Sequence, residues 1–193
     1  MARIGIFGGT FNPIHRGHTA LAKSIVRQGL VDEVWLMVSP QNPLKGNDAA
    51  CYDDRFRMAE LATYNIKGVV PSDVERQLPL PSYTITTLRH LQTTYPQHQF
   101  SLIIGGDNWE RFARWYKSDE IRRDFDILIY PRPGTSPVVP ESSGTPHRQL
   151  LLHCTLHDIS STEIRTRLAQ GESVKGLLNY RVAQYIRRKG LYT

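Results

Sequence analysis

Short apolar runs of strand-like composition alternate with longer segments of helical period along the whole chain. The run 34–38 is fully apolar, as expected of a strand buried on both faces. By contrast, Leu21, Ala22 and Ile25 form an apolar stripe with helical spacing. This alternation predicts an α/β fold, a doubly wound, mostly parallel sheet with helices on both faces. The predicted strands are residues 3–8, 34–38, 68–70, 100–104, 125–129 and 150–153, and the predicted helices are 16–29, 52–65, 82–95, 160–169 and 179–189.

The length of the chain predicts a single domain over residues 1–193, and its 40% hydrophobic content is enough for a sizeable core. No apolar run reaches the length of a membrane span, and residues 1–3 lead directly into a strand, so we expect no membrane partner and no signal peptide. Cys51 and Cys154 match no metal or redox spacing, which favours a reducing cytoplasm. The stretch 131–149, rich in Pro, Ser and Thr, predicts a surface loop.

The formal net charge of +6 favours an anionic partner. No long run of Lys and Arg with interleaved aromatic residues occurs, so a small nucleotide fits better than a nucleic acid. The basic residues of the predicted helix 179–189 suit either a solvated face or a contact in a homo-oligomer, and the sequence leaves both open.

A glycine pair followed by two histidines closes the first predicted strand. Gly8 and Gly9 predict a break, where the backbone can take positive φ values and approach a ligand closely. A helix that begins after such a turn offers free N–H groups and a positive dipole end to an anion. His15 and His18 would share one face of this helix and could donate hydrogen bonds to phosphate. Packed or surface histidines after an ordinary turn are the alternative, and no further ligand nearby in sequence favours a metal.

The run from Ile6 to His18 resembles the signature of the nucleotidylyltransferase superfamily, Gly-Gly-Thr-Phe-(Asp/Asn)-Pro-x-His-x-Gly-His. The two common nucleotide motifs, the P-loop and G-x-G-x-x-G, are absent. Enzymes of this superfamily transfer a nucleotidyl group from a nucleoside triphosphate and release pyrophosphate. The resemblance implies a Rossmann-like sheet and an ATP site that includes Gly8, Gly9, Thr10, Phe11, His15 and His18.

A second motif lies near the end of the chain. Ser160 and Glu163 fit a capping box, which accounts for these two residues on structural grounds. The further hydroxyls of Ser161 and Thr162 and the guanidinium of Arg165 are not needed for capping, and together they predict a phosphate site. The run Ile-Ser-Ser-Thr-Glu-Ile-Arg resembles the superfamily motif Ile-Ser-Ser-Thr-x-Ile-Arg. The resemblance implies that ATP is held by Ser160, Ser161, Thr162 and Arg165.

The segments between these motifs resemble one subgroup, the bacterial nicotinate-mononucleotide adenylyltransferases. This chain has Pro-Leu-Lys where the subgroup has a loop ending in Pro-Pro-His-Lys, and it shares Ser-Tyr-Thr-x-x-Thr-Leu and a Trp-Tyr pair. A solvated lysine, helix-capping hydroxyls and core aromatic residues are the structural alternatives. The resemblance implies a mononucleotide site formed by Thr10, Lys45, Tyr83, Thr84 and Trp115.

Two further residues, Asp107 and Arg55, have competing roles. Asp107 matches the family's Gly-x-Asp, which implies a contact with the sugar or base of the nucleotide, and its alternative is a helix N-cap. Arg55 suits either a phosphate contact or a structural salt bridge. Trp109 is expected to be structural. Asn12 stands where many relatives have Asp, and the sequence does not predict its effect.

The resemblance therefore implies transfer of AMP from ATP to nicotinate mononucleotide, which yields deamido-NAD and pyrophosphate in NAD biosynthesis. The reaction would be an in-line attack on the α-phosphate, because the acceptor phosphate is already an anion. The catalytic residues would be His15, His18, Lys45 and Arg165, with Mg²⁺ brought by ATP. The alternatives are nicotinamide mononucleotide or another phosphate acceptor, cytidylyl transfer from CTP, and a nucleotide-binding regulator without catalysis.

Overall fold

A computed structural model describes residues 1–40, 50–138, 148–152 and 159–193, in which parallel strands alternate with helices. The strands are β1 (Ala2–Gly9), β2 (Glu33–Val38), β3 (Val69–Ser72), β4 (His98–Gly105), β5 (Asp126–Tyr130) and β6 (Gln149–Leu151). The helices are α1 (Arg16–Arg27), α2 (Tyr52–Thr63), α3 (Thr84–Thr94), α4 (Gly106–Glu110), α5 (Ser118–Asp124), α6 (Ser161–Ala169) and α7 (Tyr180–Lys189), with short 3-10 helices at Val74–Gln77 and Phe112–Arg114.

Successive residues of the strands alternate between the two faces of the sheet and belong to two separate apolar clusters. On one face of the sheet, Phe7 and Leu36 belong to a core that also takes in buried residues of α1, α2, α6 and α7. On the other face, Ile6 and Leu102 pack with buried residues of α3, α4 and α5. Because both faces of the sheet are covered, β2 can be apolar from Val34 to Val38. The prediction of a doubly wound α/β fold is confirmed, and every strand pair is parallel.

The strand order is β3-β2-β1-β4-β5-β6. From the centre of the sheet, β1 to β3 follow one another outward on one side and β4 to β6 on the other, so the order of connection changes side between β1 and β4. The helix after β1 packs on one face and the helix after β4 on the other, because Ala22 and Trp109 belong to different core clusters. In sheets of this kind a crevice opens outside the carboxyl ends of the two central strands, and ligands bind there. Here those ends are Gly9 of β1 and Gly105 of β4.

The predicted strand break at Gly8 and Gly9 is wrong. β1 continues through Gly9, and neither glycine has a positive φ; the chain turns at Phe11, whose φ of 47° lies in the left-handed region. A Cβ at Gly9 would lie 3.0 Å from the ring of Phe11. The second glycine therefore matters for its missing side chain, which lets an aromatic ring cross the end of the strand.

Other differences concern short elements. The helices α4 and α5, of 5 and 7 residues, are too short to show a helical period in the sequence. The predicted loop 131–149 ends earlier than expected, because β6 begins at Gln149, and its residues 139–147 lie outside the described residues. None of the helices in the described ranges is long and apolar enough to cross a membrane.

Candidate active site

Two histidines are held against each other where β1 gives way to α1. His15 is the N-cap of α1, with extended backbone angles, and His18 lies one turn into the helix. The backbone N–H of His15 donates to Nδ1 of His18 at 3.2 Å, and the two rings stack with centroids 3.6 Å apart. Because Nδ1 of His18 accepts this bond, Nε2 of the neutral ring carries the proton. The pair thus lies at the carboxyl end of β1, as predicted.

His15 is almost completely buried, with 7% of its surface exposed. Burial, and then the nearby positive charge of Arg132, lower its pKa to about 4. The imidazole is therefore neutral near pH 7 and carries one N–H donor. Its Nδ1 has no hydrogen-bond partner among the described residues although it is buried. A buried polar atom of this kind at the mouth of a crevice is a ready contact for a ligand.

Aromatic rings fix the orientation of His18. Phe11 meets its imidazole edge-on, with ring centroids 5.0 Å apart, and Phe7 lies 6.0 Å away. Phe11 is itself buried at 3% exposure and packs edge-on against Phe7. The left-handed turn at Phe11 brings the ring into this position. The aromatic residue of the first motif thus acts through packing.

The second motif meets the first across the crevice. Ser161, the first residue of α6, donates its hydroxyl to the carbonyl of Pro13 at 3.0 Å. Arg165 donates Nη1 to the carbonyl of Asn12 at 2.9 Å and Nη2 to Oγ1 of Thr162 at 3.4 Å. The bonds to Pro13 and Asn12 join segments about 150 residues apart. Toward the described residues, Arg165 uses two of its five guanidinium donors.

The capping box at α6 is half formed. Ser160 accepts a hydrogen bond from the backbone N–H of Glu163 at 3.0 Å, as predicted. The carboxylate of Glu163 instead binds Arg167, with the closest N–O distance 2.7 Å. Ser160 is thus a helix cap, and Ser161 and Thr162 are the hydroxyls that face the loop of the first motif and Arg165.

Asp107 lies at the carboxyl end of β4, inside α4 and two residues after its N-cap, Gly105. The alternative in which Asp107 is itself the N-cap is therefore wrong. Its carboxylate lies 3.6 Å from Nε of Arg132, whose Nη2 donates to the hydroxyl of Tyr130 at 3.0 Å. Sequence reasoning missed Arg132, although it lies just after the carboxyl end of β5, on the side of the sheet where ligands bind.

The start of α3 and the Trp115–Tyr116 pair form a second part of the crevice. No side chain caps α3, whose N-cap is Tyr83 and whose first residue is Thr84. The ring of Tyr83 lies 4.6 Å from that of Tyr116, centroid to centroid. Trp115 is half-buried and packs on Phe112. The contact between Tyr83 and Tyr116 thus brings the N-terminus of α3 next to the segment that contains Trp115. Lys45, the remaining member of this predicted set, lies outside the described residues.

Arg55 takes neither of its two predicted roles. Its guanidinium is 2% exposed and donates to four backbone carbonyls, those of Thr10, Ser39, Pro40 and Ala50, at 2.8 to 3.0 Å. These carbonyls follow β1 and β2 or precede α2, so Arg55 ties the ends of two strands to a helix. Burial lowers its pKa, but a guanidinium stays charged at any ordinary pH. Thr10 contributes its carbonyl to this contact.

Replacing Arg55 with Lys should lower the free energy of unfolding by about 2 kcal/mol, because an ammonium cannot reach all four carbonyls and some are left buried without a donor. Urea unfolding at pH 7 measures the change. Arg57→Lys is the matched control: Arg57 is exposed and, among the described residues, forms an ion pair with Glu60, and its replacement should cost less than about 0.5 kcal/mol. Equal losses of stability in the two variants would contradict the role of Arg55 in joining the ends of β1 and β2 to α2.

Comparison with known proteins agrees with this geometry. The sequence model of the cytidylyltransferase-like family matches residues 6–167. A protein of Bacteroides thetaiotaomicron, named probable nicotinate-nucleotide adenylyltransferase, is 48% identical over 96% of this chain and 91% of its own length. One of the same name from Flavobacterium johnsoniae is 38% identical over 98% of both chains. The structure of Plasmodium falciparum nicotinic acid mononucleotide adenylyltransferase complexed with NaAD shares the fold, with a TM-score of 0.83 at 20% identity, covering 100% of this chain and 98% of that one.

The parallel sheet, with phosphate-binding motifs at its central crevice, defines an enzyme of the nucleotidyltransferase class. By sequence, the chain belongs to the cytidylyltransferase-like family and, within it, to the nicotinate-nucleotide adenylyltransferases.

Proposed function

We propose that this protein transfers AMP from ATP to nicotinate mononucleotide, giving deamido-NAD and pyrophosphate. The observation that carries the proposal is the meeting of two phosphate-binding segments at the switch point of the sheet. Ser161 and Arg165 donate directly to the backbone that leads into His15. The names of the relatives add support for the acceptor, since they act on nicotinate nucleotide.

The reaction needs no covalent intermediate with the protein. A phosphate oxygen of the mononucleotide attacks the α-phosphorus of ATP, and the bond from that phosphorus to the bridging oxygen of pyrophosphate breaks. The protein contributes positioning and stabilisation of charge in the transition state. Neutral His15 donates one N–H to an α-phosphate oxygen, and Nε2–H of His18 donates to the α-phosphate and the departing pyrophosphate. Ser161, Thr162, Arg165 and Lys45 hold the β- and γ-phosphates.

ATP would enter as its Mg²⁺ complex. Among the described residues, no three of His, Cys, Asp and Glu come together where they could hold a metal ion. The donor set therefore fits a cation carried by the phosphate oxygens of the substrate and by water, as Mg²⁺ is in many nucleotide sites. The bound cation would neutralise charge on the triphosphate. Asp107, beside β4, is left to accept hydrogen bonds from ribose hydroxyls.

The acceptor site follows from the chemistry of the ring that it would hold. The first N–H groups of α3, around Thr84, can donate to a carboxylate, and the dipole of the helix favours a negative charge there. The indole of Trp115 offers an apolar face for the pyridine ring. An acid is therefore preferred over the neutral amide, because the amide gains less from the helix dipole.

The direct test is pyrophosphate release with ATP and Mg²⁺, with nicotinate mononucleotide and nicotinamide mononucleotide run in parallel and CTP as the control donor. We expect strong preference for ATP with the acid. Activity with the amide alone would overturn the acceptor, preference for CTP would overturn the donor, and no turnover with either acceptor would contradict this reaction.

The variant Thr84→Pro tests the acceptor site, because proline removes the backbone N–H and is well accepted at the first position of a helix. The residue before it, Tyr83, already has the extended backbone that proline requires. We expect kcat/KM for the acid to fall about 10- to 100-fold, as for a lost hydrogen bond to a charged group, and the preference over the amide to shrink. Thr84→Ala keeps the N–H and should retain the preference; equal effects of the two variants would exclude this contact.

A further inference from the structure

Asn12 is the point at which three distant parts of the chain hold the loop before His15. Its carbonyl accepts Nη1 of Arg165 in α6. Its side-chain oxygen, Oδ1, accepts the backbone N–H of Ala50, just before α2, at 3.1 Å, and the hydroxyl of Tyr192, after α7, at 2.6 Å. The residue is 8% exposed, so these bonds are shielded from water. Its amide oxygen accepts hydrogen bonds from two donors at once.

Tyr192 is held in an unusual conformation while it makes this bond. Its φ of 65° lies in the left-handed region, which costs a residue with a side chain about 1 to 2 kcal/mol. Its side chain is half-buried, and burial raises the pKa of its hydroxyl, so the group stays protonated and can only be a donor to Oδ1. Backbone strain of this kind persists only where the surrounding contacts impose it.

The backbone beside Asn12, the acceptor of this bond, is strained as well. Phe11, directly before Asn12, has a φ of 47°. Its ring packs against Gly9 and meets His18 edge-on. The segment 11–15 therefore begins at a left-handed residue that carries an aromatic ring, and it ends at the extended residue His15. A small shift of Asn12 would move both of them.

We propose that Tyr192 is a positioning residue: its hydroxyl, through Oδ1 of Asn12, holds the segment that sets His15 and His18 against the reacting phosphate. This inference rests on the proposed nucleotidyl transfer. Without the hydroxyl, the Ala50 N–H is the one donor to Oδ1 that remains among the described residues, and the turn can relax away from the segment that follows α7. Misplacement of reacting groups by about 1 Å can cost about a hundredfold in rate. We expect a fall in kcat of about tenfold or more, with KM for both substrates changed less than about twofold, because the substrate contacts themselves remain.

Tyr192→Phe tests the proposal, and the chain offers a matched control in Tyr185→Phe. The hydroxyl of Tyr185 donates to Oδ1 of Asp54 at 2.7 Å and lies on α7, so the same oxygen atom is deleted from a bond of similar length. Asp54 belongs to α2, and among the described residues its carboxylate accepts hydrogen bonds from Cys51 and Tyr185, neither of which lies in the segment 11–15. We expect Tyr185→Phe to lower stability by about as much as Tyr192→Phe and to leave kcat unchanged.

The second readout is independent of activity. ¹⁵N NMR of the imidazoles in the folded protein without substrate should show shifted His15 and His18 signals in Tyr192→Phe and unshifted ones in Tyr185→Phe. If Tyr192→Phe keeps the wild-type kcat and the wild-type imidazole signals, the proposal is wrong. If both variants lose stability and kcat alike, Tyr192 has only a general structural role and the proposal is also wrong. If the wild-type protein shows no turnover, the proposed function fails, and the imidazole signals alone still decide the role of Tyr192.

Discussion

Replacing His18 with Asn should lower kcat by about 10²- to 10³-fold, the usual cost of removing one donor to the charge that develops in the transition state. The amide oxygen of Asn can take over the role of Nδ1 and accept the N–H of His15, so the turn before α1 is kept. The donor at Nε2 is lost. Steady-state pyrophosphate release with saturating ATP and acceptor measures the effect, and KM should change little.

The variant His18→Ala removes both the acceptor at Nδ1 and the donor at Nε2. Comparison with His18→Asn, which keeps an acceptor, therefore separates the two functions. We expect His18→Ala to lose the same factor in kcat and, in addition, some stability, because the buried N–H of His15 loses its acceptor. His90→Asn, in α3, is the matched control and should leave kcat unchanged. Wild-type turnover in either His18 variant would show that His18 does not assist the reaction.

Replacing Arg165 with Lys should lower kcat/KM for ATP by about a hundredfold, close to the loss of two charge-assisted hydrogen bonds. The guanidinium holds the carbonyl of Asn12 and the hydroxyl of Thr162 and still presents donors to a phosphate. An ammonium is a single point of charge and cannot do all three at once. Initial rates as a function of ATP concentration, at saturating acceptor, give the ratio.

Arg167→Lys controls for a change of the same kind on the same helix. Arg167 lies two residues further on, and its guanidinium binds Glu163 at the surface. A surface ion pair contributes less than about 1 kcal/mol, so this variant should match the wild type in both kcat and KM. If the two lysine variants behave alike, the loss at Arg165 reflects α6 as a whole and not contact with ATP.

Much of the architecture could be read from local patterns. The apolar run of β2 and the helical stripe of α1 reflect the side-chain periods of strands and helices, which need no knowledge of distant residues. The two motifs predicted to bind phosphate could be located for the same reason, since each is a contiguous strand–turn–helix or helix start. The details at their edges were harder: the extended Gly8–Gly9 segment and the left-handed Phe11 depend on a ring packing across the strand end.

Several site features have no local signal at all. Arg55 binds carbonyls from the ends of two strands, Arg132 meets Asp107 and lowers the pKa of His15, and Tyr192 binds Asn12 across 180 positions. Nothing in the local sequence distinguishes these residues from the other arginines and tyrosines of the chain. Only the fold decides which of them contacts these partners.

The sequence by itself determined the class of fold and predicted the two motifs proposed to bind phosphate, because each of these depends on neighbours along the chain. The tertiary structure decided how the motifs are joined: Ser161 and Arg165 donate to the turn before His15, and Tyr192 holds it from the far side. The physical reason is that a hydrogen bond is specified by the positions of two atoms in space, and the order of strands in the sheet, more than their order in sequence, sets those positions.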